Sequence, residues 1–293
     1  MPSTRDIRRR IKSVKNTAQI TKAMQMVASS KMQRAQQAAI RGRPFADLAT
    51  LVMDHAADGA QDFTHPLLEQ REVRKRGVIV VSTDKGLCGA LNANLLREAA
   101  RYDPATTLFV AVGRKGAQFL ARTKRQLVSE FSYHDTPTFG ESQAIAQCAR
   151  QMFTSREVDQ VDILFSRFVN TLAQRPEVQR ILPLNREEGL QVGIGEDAAA
   201  AQRVDIRHVQ YLFEPGPAAV MELLLSVFLD FQIAQLLLEA KASEQSARMV
   251  AMKSATDNAQ QLIKDLTLDY NKLRQSNITK ELLEISSAAM ALG

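Results

Sequence analysis

The sequence predicts a mixed fold, with an α/β domain placed between two long terminal helices that pair as an antiparallel coiled coil. Residues 3–41 and 218–292 contain neither Gly nor Pro, and apolar residues in both recur with the 3.5-residue period of supercoiled helices. Between them, short β-branched runs alternate with helical patterns. We therefore expect an N-terminal helix within residues 1–57, a central domain within 75–213 and a C-terminal helix within 218–293.

The N-terminal helix has a capping residue and an apolar seam. Ser3 or Thr4 can accept hydrogen bonds from the first free N–H groups. A helix of about 39 residues would span about 58 Å. Gly42 and Pro44 predict a break or kink, with a weaker helix continuing beyond it to about residue 57. The seam residues are spaced alternately by four and three, with one interruption at Gln25. They are Ile7, Ile11, Val14, Ala18, Thr21, Ala28, Met32 and Ala35.

The C-terminal helix is expected to be longer, at about 110 Å if it is continuous. Its apolar seam slips in phase around residues 275–277. Neither terminal helix can bury its stripe alone, and a folded domain separates them in the chain, so we expect them to pair antiparallel. The first seam run is Met252, Thr256, Ala259, Ile263, Leu266, Tyr270 and Leu273, and the second is Ile278, Leu282, Ile285, Ala289 and Leu292.

The central segment has the pattern of a Rossmann-like α/β domain. Strands that alternate with helices indicate βαβ units and a mostly parallel sheet. Residues 189–201 combine glycines, acids and alanines, which predicts a surface loop. Strands are expected at 77–82, 107–112, 161–169 and 177–184, and helices at 91–101, 114–123 and 141–156.

Positive charge is concentrated at the N-terminus. Residues 1–43 carry eleven Lys/Arg and one acid, Asp6, whereas the remainder carries a net charge of −4. A basic helix beside a nearly neutral body indicates an acidic partner, either a protein surface or a nucleic acid. The coiled-coil seam on the same helix and the lack of interleaved aromatic residues disfavour nucleic acid.

Export and membrane signals are weak. The charged N-terminus lacks the apolar core of a signal peptide. Residues 218–240 are interrupted by Glu222, Asp230 and Glu239, whereas a bilayer requires roughly 20 nearly uninterrupted apolar residues. We therefore expect a helix buried against protein. The two cysteines, Cys88 and Cys148, have no metal-like spacing and predict packed thiols in a reducing compartment.

One loop resembles a ligand site in position but not in detail. Residues 82–92 (STDKGLCGALN) follow the first strand and open a helix, where nucleotide-binding folds place a phosphate loop. They match neither G-x-G-x-x-G nor G-x-x-x-x-G-K-[ST], so a tight strand-to-helix turn is favoured. The four histidines, His55, His65, His134 and His208, show no metal spacing. The residues predict no catalytic group, no cofactor and no metal.

Four segments carry long, specific motifs. Residues 7–28 read IRRRIKSVKNTAQITKAMQMVA, residues 246–259 read SARMVAMKSATDNA, and residues 270–282 read YNKLRQSNITKEL. Together with loop 82–92, these segments closely resemble the terminal and central signatures of the gamma subunit of F-type ATP synthases. The resemblance is collinear over nearly the whole chain.

The resemblance implies a central rotor without an active site of its own. In that family the coiled coil turns inside a ring of three alpha and three beta subunits, which hold the nucleotide sites. The foot stands on the membrane c-ring beside the epsilon subunit, so ion flow drives the beta subunits through their conformations, and ATP hydrolysis reverses the motion. The resemblance also implies a peripheral location on the cytoplasmic face of a bacterial plasma membrane. It implies that the chain binds neither nucleic acid nor a small-molecule substrate.

The resemblance also implies roles for particular residues. Ala288-Ala289 replaces a Gly-Ala pair that is frequent in the family, which implies a stiffer tip because Ala favours helix over Gly by about 1 kcal/mol. The cysteine pair of chloroplast relatives is missing, so thiol regulation is not expected. The implied beta contacts are Arg8, Lys22, Met24, Arg248, Arg274, Gln275 and Thr279, the apolar bearing is Leu282, Ile285, Ala289 and Leu292, and the c-ring contacts at the foot are Tyr211, Phe213 and Glu214.

Two other functions stay open on the residues alone. One is an enzyme with a Rossmann-like domain and a coiled-coil dimerisation arm, which would bind a nucleotide tightly and stoichiometrically. The other is a basic coiled coil that would co-purify with nucleic acid.

Overall fold

A computed structural model describes residues 3–59, 64–184, 214 and 216–292. The chain divides into two compact units, one of residues 1–27 with 249–293 and the other of residues 28–248. The three-segment division predicted from the sequence stays a prediction. In chain order the elements are α1 (Thr4–Gly59), a 3-10 helix (Pro66–Leu68), β1 (Arg76–Val81), α2 (Leu91–Ala99), β2 (Thr107–Val112), α3 (Arg114–Arg122), β3 (Leu127–Phe131), α4 (Phe139–Thr154), β4 (Gln160–Phe168), β5 (Gln174–Leu182) and α5 (Pro217–Leu292).

In the first unit, the start of α1 pairs with the second half of α5. The hydroxyls of Thr21 and Thr256, both buried, lie 2.7 Å apart and share a hydrogen bond across the seam. Every residue of the first seam run predicted in α5 is buried or half-buried, and most residues between them are exposed. The 3.5-residue period therefore predicted the packed face correctly.

The seam of α5 ends where α1 begins. The part of α1 in this unit ends at residue 27, and the part of α5 in this unit begins at residue 249. Thr21 contacts Thr256 close to both of these ends. The two helices therefore run antiparallel. Counting two heptads from the Thr21–Thr256 contact predicts that Ile7 lies at the level of Tyr270. The described side chains of residues 274–287 are all exposed. The second seam run thus has no helical partner in the described part of the chain.

The second unit contains a five-stranded sheet with the order β3-β2-β1-β4-β5. The first four strands are parallel, and β5 is antiparallel to β4. The mostly parallel sheet, four of its strands and its three helices were predicted correctly. Strand β3 was not predicted, because this edge strand alternates half-buried and exposed residues and lacks a continuous apolar run.

Helices cover both faces of the sheet. Alternate residues of a strand point to opposite faces, so adjacent residues of β1, Val78 and Ile79, belong to different cores. Val78 packs with residues of α2 and α3, and Ile79 packs with residues of α4 and α5. The first half of α5 is therefore a core helix of the α/β domain as well as a partner of α1.

Helix α1 does not break at Gly42 and Pro44, and its predicted continuation beyond them is confirmed. It continues to Gly59 with Pro44 inside it, although an interior proline costs about 3 kcal/mol or more. Packing on α5 offsets this cost. The rings of Phe45 and Phe231 lie 4.7 Å apart, and a Cβ at position 42 would overlap the side-chain amide nitrogen of Gln235. The helices thus approach closely on both sides of the proline.

Helix α5 contains the one segment of the described residues that is apolar and long enough to cross a membrane by composition and length, within Ala218–Ser287. Half of that apolar window is buried inside the structure. Leu225, Leu229 and Leu237 belong to the core beneath the sheet. The core helix of a soluble domain passes the same test.

The predicted surface loop at residues 189–201 lies outside the described residues.

Gly113 permits a close contact between β2, α3 and β1. Its φ is +100°, and an added Cβ would overlap the Ser82 carbonyl oxygen and lie 3.0 Å from Ser82 Oγ. We expect Gly113→Ala to lower the free energy of unfolding by about 1–3 kcal/mol through backbone strain, measured by urea unfolding. Gly140→Ala is the control, because no atom lies within 4 Å of its added Cβ. Equal unfolding midpoints for the two variants would contradict the expectation.

Candidate functional surfaces of the terminal helices

Most residues implied as beta contacts reach solvent. On α1, Arg8 and Lys22 are exposed and Met24 is half-buried. On α5, Arg274, Gln275 and Thr279 are exposed, and the Thr279 hydroxyl donates to the Gln275 carbonyl oxygen at 2.9 Å. These six residues flank or follow the end of the seam and are accessible to a partner. Their role in binding a beta subunit stays a prediction.

Arg248 differs from the others because it is buried within the chain. Its Nη1 lies 2.7 Å from Glu244 Oε1, and its Nη2 donates to the carbonyl oxygens of Lys85 and Gly86 at 3.2 and 3.3 Å. The guanidinium therefore joins α5 to the loop after β1. Sequence reasoning missed this internal role, since no local pattern connects residues 163 positions apart. A contact of Arg248 with a beta subunit also stays a prediction.

The loop after β1 satisfies its polar groups internally. Asn92 Nδ2 donates to Thr83 Oγ1 at 2.7 Å, and Thr83 Oγ1 donates to the Lys85 carbonyl oxygen at 2.8 Å. Such contacts fit the tight strand-to-helix turn favoured from the sequence.

The same loop also occupies the N-terminus of α3. The Gly116 N–H donates to Ser82 Oγ at 2.7 Å, and the Arg114 N–H donates to Asp84 Oδ1 at 3.0 Å. Free N–H groups at a helix N-terminus are what binds phosphate in nucleotide-binding folds. Here two of them are already bonded to loop side chains.

The thiols and histidines are dispersed. Both cysteines are free, with Cys88 buried and Cys148 half-buried, and burial raises the pKa of each thiol. His134 Nδ1 pairs with Glu141 at 2.6 Å. Across residues 3–59, 64–184, 214 and 216–292, no group of three or more His, Cys, Asp or Glu is placed to hold a metal ion.

A polar face of α5 binds the hairpin between β4 and β5. Glu239, which is buried, accepts a hydrogen bond from the Phe168 N–H at 3.2 Å and lies 3.8 Å from Arg167 Nε. Ser246 Oγ donates to the Thr171 carbonyl oxygen at 2.9 Å. Burial raises the pKa of Glu239 to about 7, against the opposing effects of Arg167 and the Phe168 N–H.

The raised pKa of Glu239 predicts a pH-dependent stability. The folded chain retains a proton that the unfolded chain, with a glutamate pKa of about 4.3, has released. Stability is therefore lost as the pH rises from about 4.5 to about 7. We expect Glu239→Gln to remove this loss. In urea unfolding, the free energy of unfolding of the variant should therefore rise relative to that of the unsubstituted chain as the pH increases across this range.

The control for that measurement is Glu130→Gln, which removes a carboxylate from the exposed edge strand β3. If the free energies of unfolding of Glu239→Gln and the unsubstituted chain differ by the same amount at pH 5 and pH 8, the predicted pH dependence is wrong.

The implied bearing and foot are described only in part. Leu282 and Ile285 are 61% and 66% exposed, so they form an apolar surface on α5 beyond the seam. Ala289 and Leu292 belong to α5, but the structure does not describe their side chains. At the foot, Glu214 is exposed. Tyr211 and Phe213 lie outside the described residues.

The fold and these surfaces define a class of protein in which the first and last helices pair, and in which the α/β domain between them is fastened to the last helix. The loop after β1, which the sequence suggested as a candidate ligand site, is hydrogen-bonded to other residues of the same chain.

The comparisons identify the family within that class. A family model described as ATP synthase matches residues 3–292. The ATP synthase gamma chain of Opitutus terrae is 48% identical over 99% of both chains. The chain belongs to the ATP synthase gamma chain family.

Solved structures agree on the fold. A chain of the central stalk and c-ring structure of the Tetrahymena thermophila mitochondrial ATP synthase has a TM-score of 0.58 and 26% identity, over 80% of this chain and 99% of that one. A chain of the Euglena gracilis mitochondrial ATP synthase has a TM-score of 0.68 and 18% identity, over 99% and 94%.

Proposed function

We propose that this chain is the central rotor of an F-type ATP synthase, transmitting rotation of a membrane c-ring to the catalytic beta subunits. The observation that carries the proposal is the antiparallel pairing of the terminal helices, in a chain with full-length gamma-chain similarity. Pairing makes two long helices stiffer than one, and a stiff shaft is required to transmit torque.

The proposed contacts follow from exposure. The residues implied as beta contacts bind the beta subunits, because six of the seven are accessible and the basic charge of residues 1–43 complements an acidic surface. The exposed apolar surface at Leu282 and Ile285 turns in an apolar bearing of the alpha–beta ring. Glu214, with Tyr211 and Phe213, contacts the c-ring beside the epsilon subunit.

In this proposal the chain supplies no catalytic group and holds no cofactor. The polar groups of the loop after β1 are engaged by neighbouring residues, which supports placing nucleotide chemistry in other subunits. The chain acts at the cytoplasmic face of a bacterial plasma membrane as a peripheral subunit.

The proposal is tested by affinity purification of the tagged full-length chain from detergent-solubilised membranes. We expect alpha, beta, epsilon and c subunits to co-purify and ATP hydrolysis to accompany them. Recovery without alpha and beta subunits, but with nucleic acid, would overturn the proposal. So would tight stoichiometric binding of a nucleotide by the isolated chain with no affinity for the other subunits.

A further inference from the structure

A charged cluster joins both long helices to the α/β domain. Asp135, in the loop between β3 and α4, bonds to Lys31 of α1 with 2.5 Å between Oδ2 and Nζ. Its other oxygen, Oδ1, lies 3.7 Å from Nζ of Lys241 on α5. One carboxylate thus bridges a cation from each helix.

The second cation of this bridge is held firmly in place. The Lys241 side chain is 4% exposed, and its Nζ lies 3.0 Å from Glu244 Oε2 and 4.5 Å from the centroid of the Tyr133 ring. Burial opposes charge on Asp135, but the hydrogen bond from Lys31 and the charges of Lys241 and Lys85 hold its pKa below the usual range. Asp135 is therefore ionised where it lies between the two lysines.

Most of the buried α1 side chains in residues 28–42 are small. They are Ala28, Ala35 and Ala39, beside one larger residue, Met32, and Gly42 fits against Gln235. Small side chains let two helices approach closely but form shallow knobs, which resist sliding and rotation weakly.

The two helices also differ in how they are anchored. Helix α5 is fixed by apolar packing in the sheet core. Among the hydrogen bonds and ion pairs found in the described residues, Lys31–Asp135 is the contact that joins α1 to the α/β domain.

We infer that Asp135 is a positioning residue that locks α1 to α5 and to the α/β domain. By binding Lys31 and Lys241 together, it fixes the register of α1 on its partner. Resting on the proposed rotor function, the consequence is that the part of α1 within this unit turns with the α/β domain without slipping along α5.

The lock is tested first on the isolated full-length chain by amide hydrogen exchange. Asp135→Asn keeps the side-chain shape and removes the charge. We expect roughly two- to fivefold faster exchange in residues 28–35, the scale of losing one partly exposed ion pair from a local opening equilibrium. Asp135→Glu should restore slow exchange, and the exposed control Glu130→Gln should leave it unchanged. Unaltered exchange in Asp135→Asn would overturn the lock.

The second measurement is the ratio of ions pumped to ATP hydrolysed by the assembled complex in vesicles. We expect Asp135→Asn to lower this ratio while hydrolysis continues, and Asp135→Glu to restore it. An unchanged ratio in a variant with faster exchange would overturn the role of the lock in coupling. If the unsubstituted chain itself fails to support pumping, the proposed function falls, whereas the exchange result still decides the lock.

Discussion

Replacing Ile263 by proline is expected to abolish coupled ATP synthesis by the assembled complex. Ile263 lies in the seam of the first unit and is half-buried, inside a helix with no other proline after Pro217. Proline removes the bond from its N–H to the Ala259 carbonyl and its ring clashes with that turn, at about 3 kcal/mol or more. The paired segment would break between Ala259 and Leu266, so either assembly or torque transmission fails.

The measurement is ATP synthesis driven by an ion gradient in vesicles, with subunit content determined in parallel. Ile263→Ala is the matched control, because it removes the same seam side chain but preserves the helical backbone. We expect the alanine variant to assemble and to retain most of its synthesis. Coupled synthesis at the unsubstituted rate in Ile263→Pro would contradict the requirement for a continuous helix.

Replacing Leu237 by alanine is expected to lower the free energy of unfolding by about 2–5 kcal/mol. Leu237 is 0% exposed and belongs to the core that α5 shares with β1 and α4. Removing its branched end leaves a cavity between the sheet and α5, because neighbours from three elements relax only in part. Typical domains have a total stability of about 5–15 kcal/mol, so this one substitution removes a large fraction.

Urea unfolding of the full chain, followed by circular dichroism, measures this effect. Leu223→Ala is the matched control on the same helix, since Leu223 is 68% exposed, and we expect its effect to stay within about 0.5 kcal/mol. Equal midpoints for the two variants would show that α5 does not depend on the sheet core for its stability.

Periodicity predicted the regular parts of the fold well. The seam from Met252 to Leu273 was predicted correctly because a supercoiled pair has a period that a single sequence displays directly. Strands β1 and β2 were predicted because parallel strands covered on both faces are continuous apolar runs. Strand β3 was missed because half of such an edge strand faces solvent.

Contacts between distant residues could not be predicted. The contacts that α1 makes beside Pro44 are with Phe231 and Gln235, nearly two hundred positions away in the sequence. Asp135, Lys31 and Lys241 share no motif, and only the folded chain brings them together. For the same reason, the internal contacts of Arg248 were invisible in the motif that suggested a partner.

Rotation of the proposed shaft within a ring of catalytic subunits can be observed directly. Leu172, in the turn between β4 and β5, is 80% exposed and offers a labelling site as Leu172→Cys, with Cys148→Ser leaving only the buried Cys88. The alpha–beta ring is fixed to a surface and a bead is attached at position 172. On addition of ATP we predict unidirectional rotation of the bead. Sustained ATP hydrolysis by the assembled complex with a stationary bead would contradict the proposed rotation.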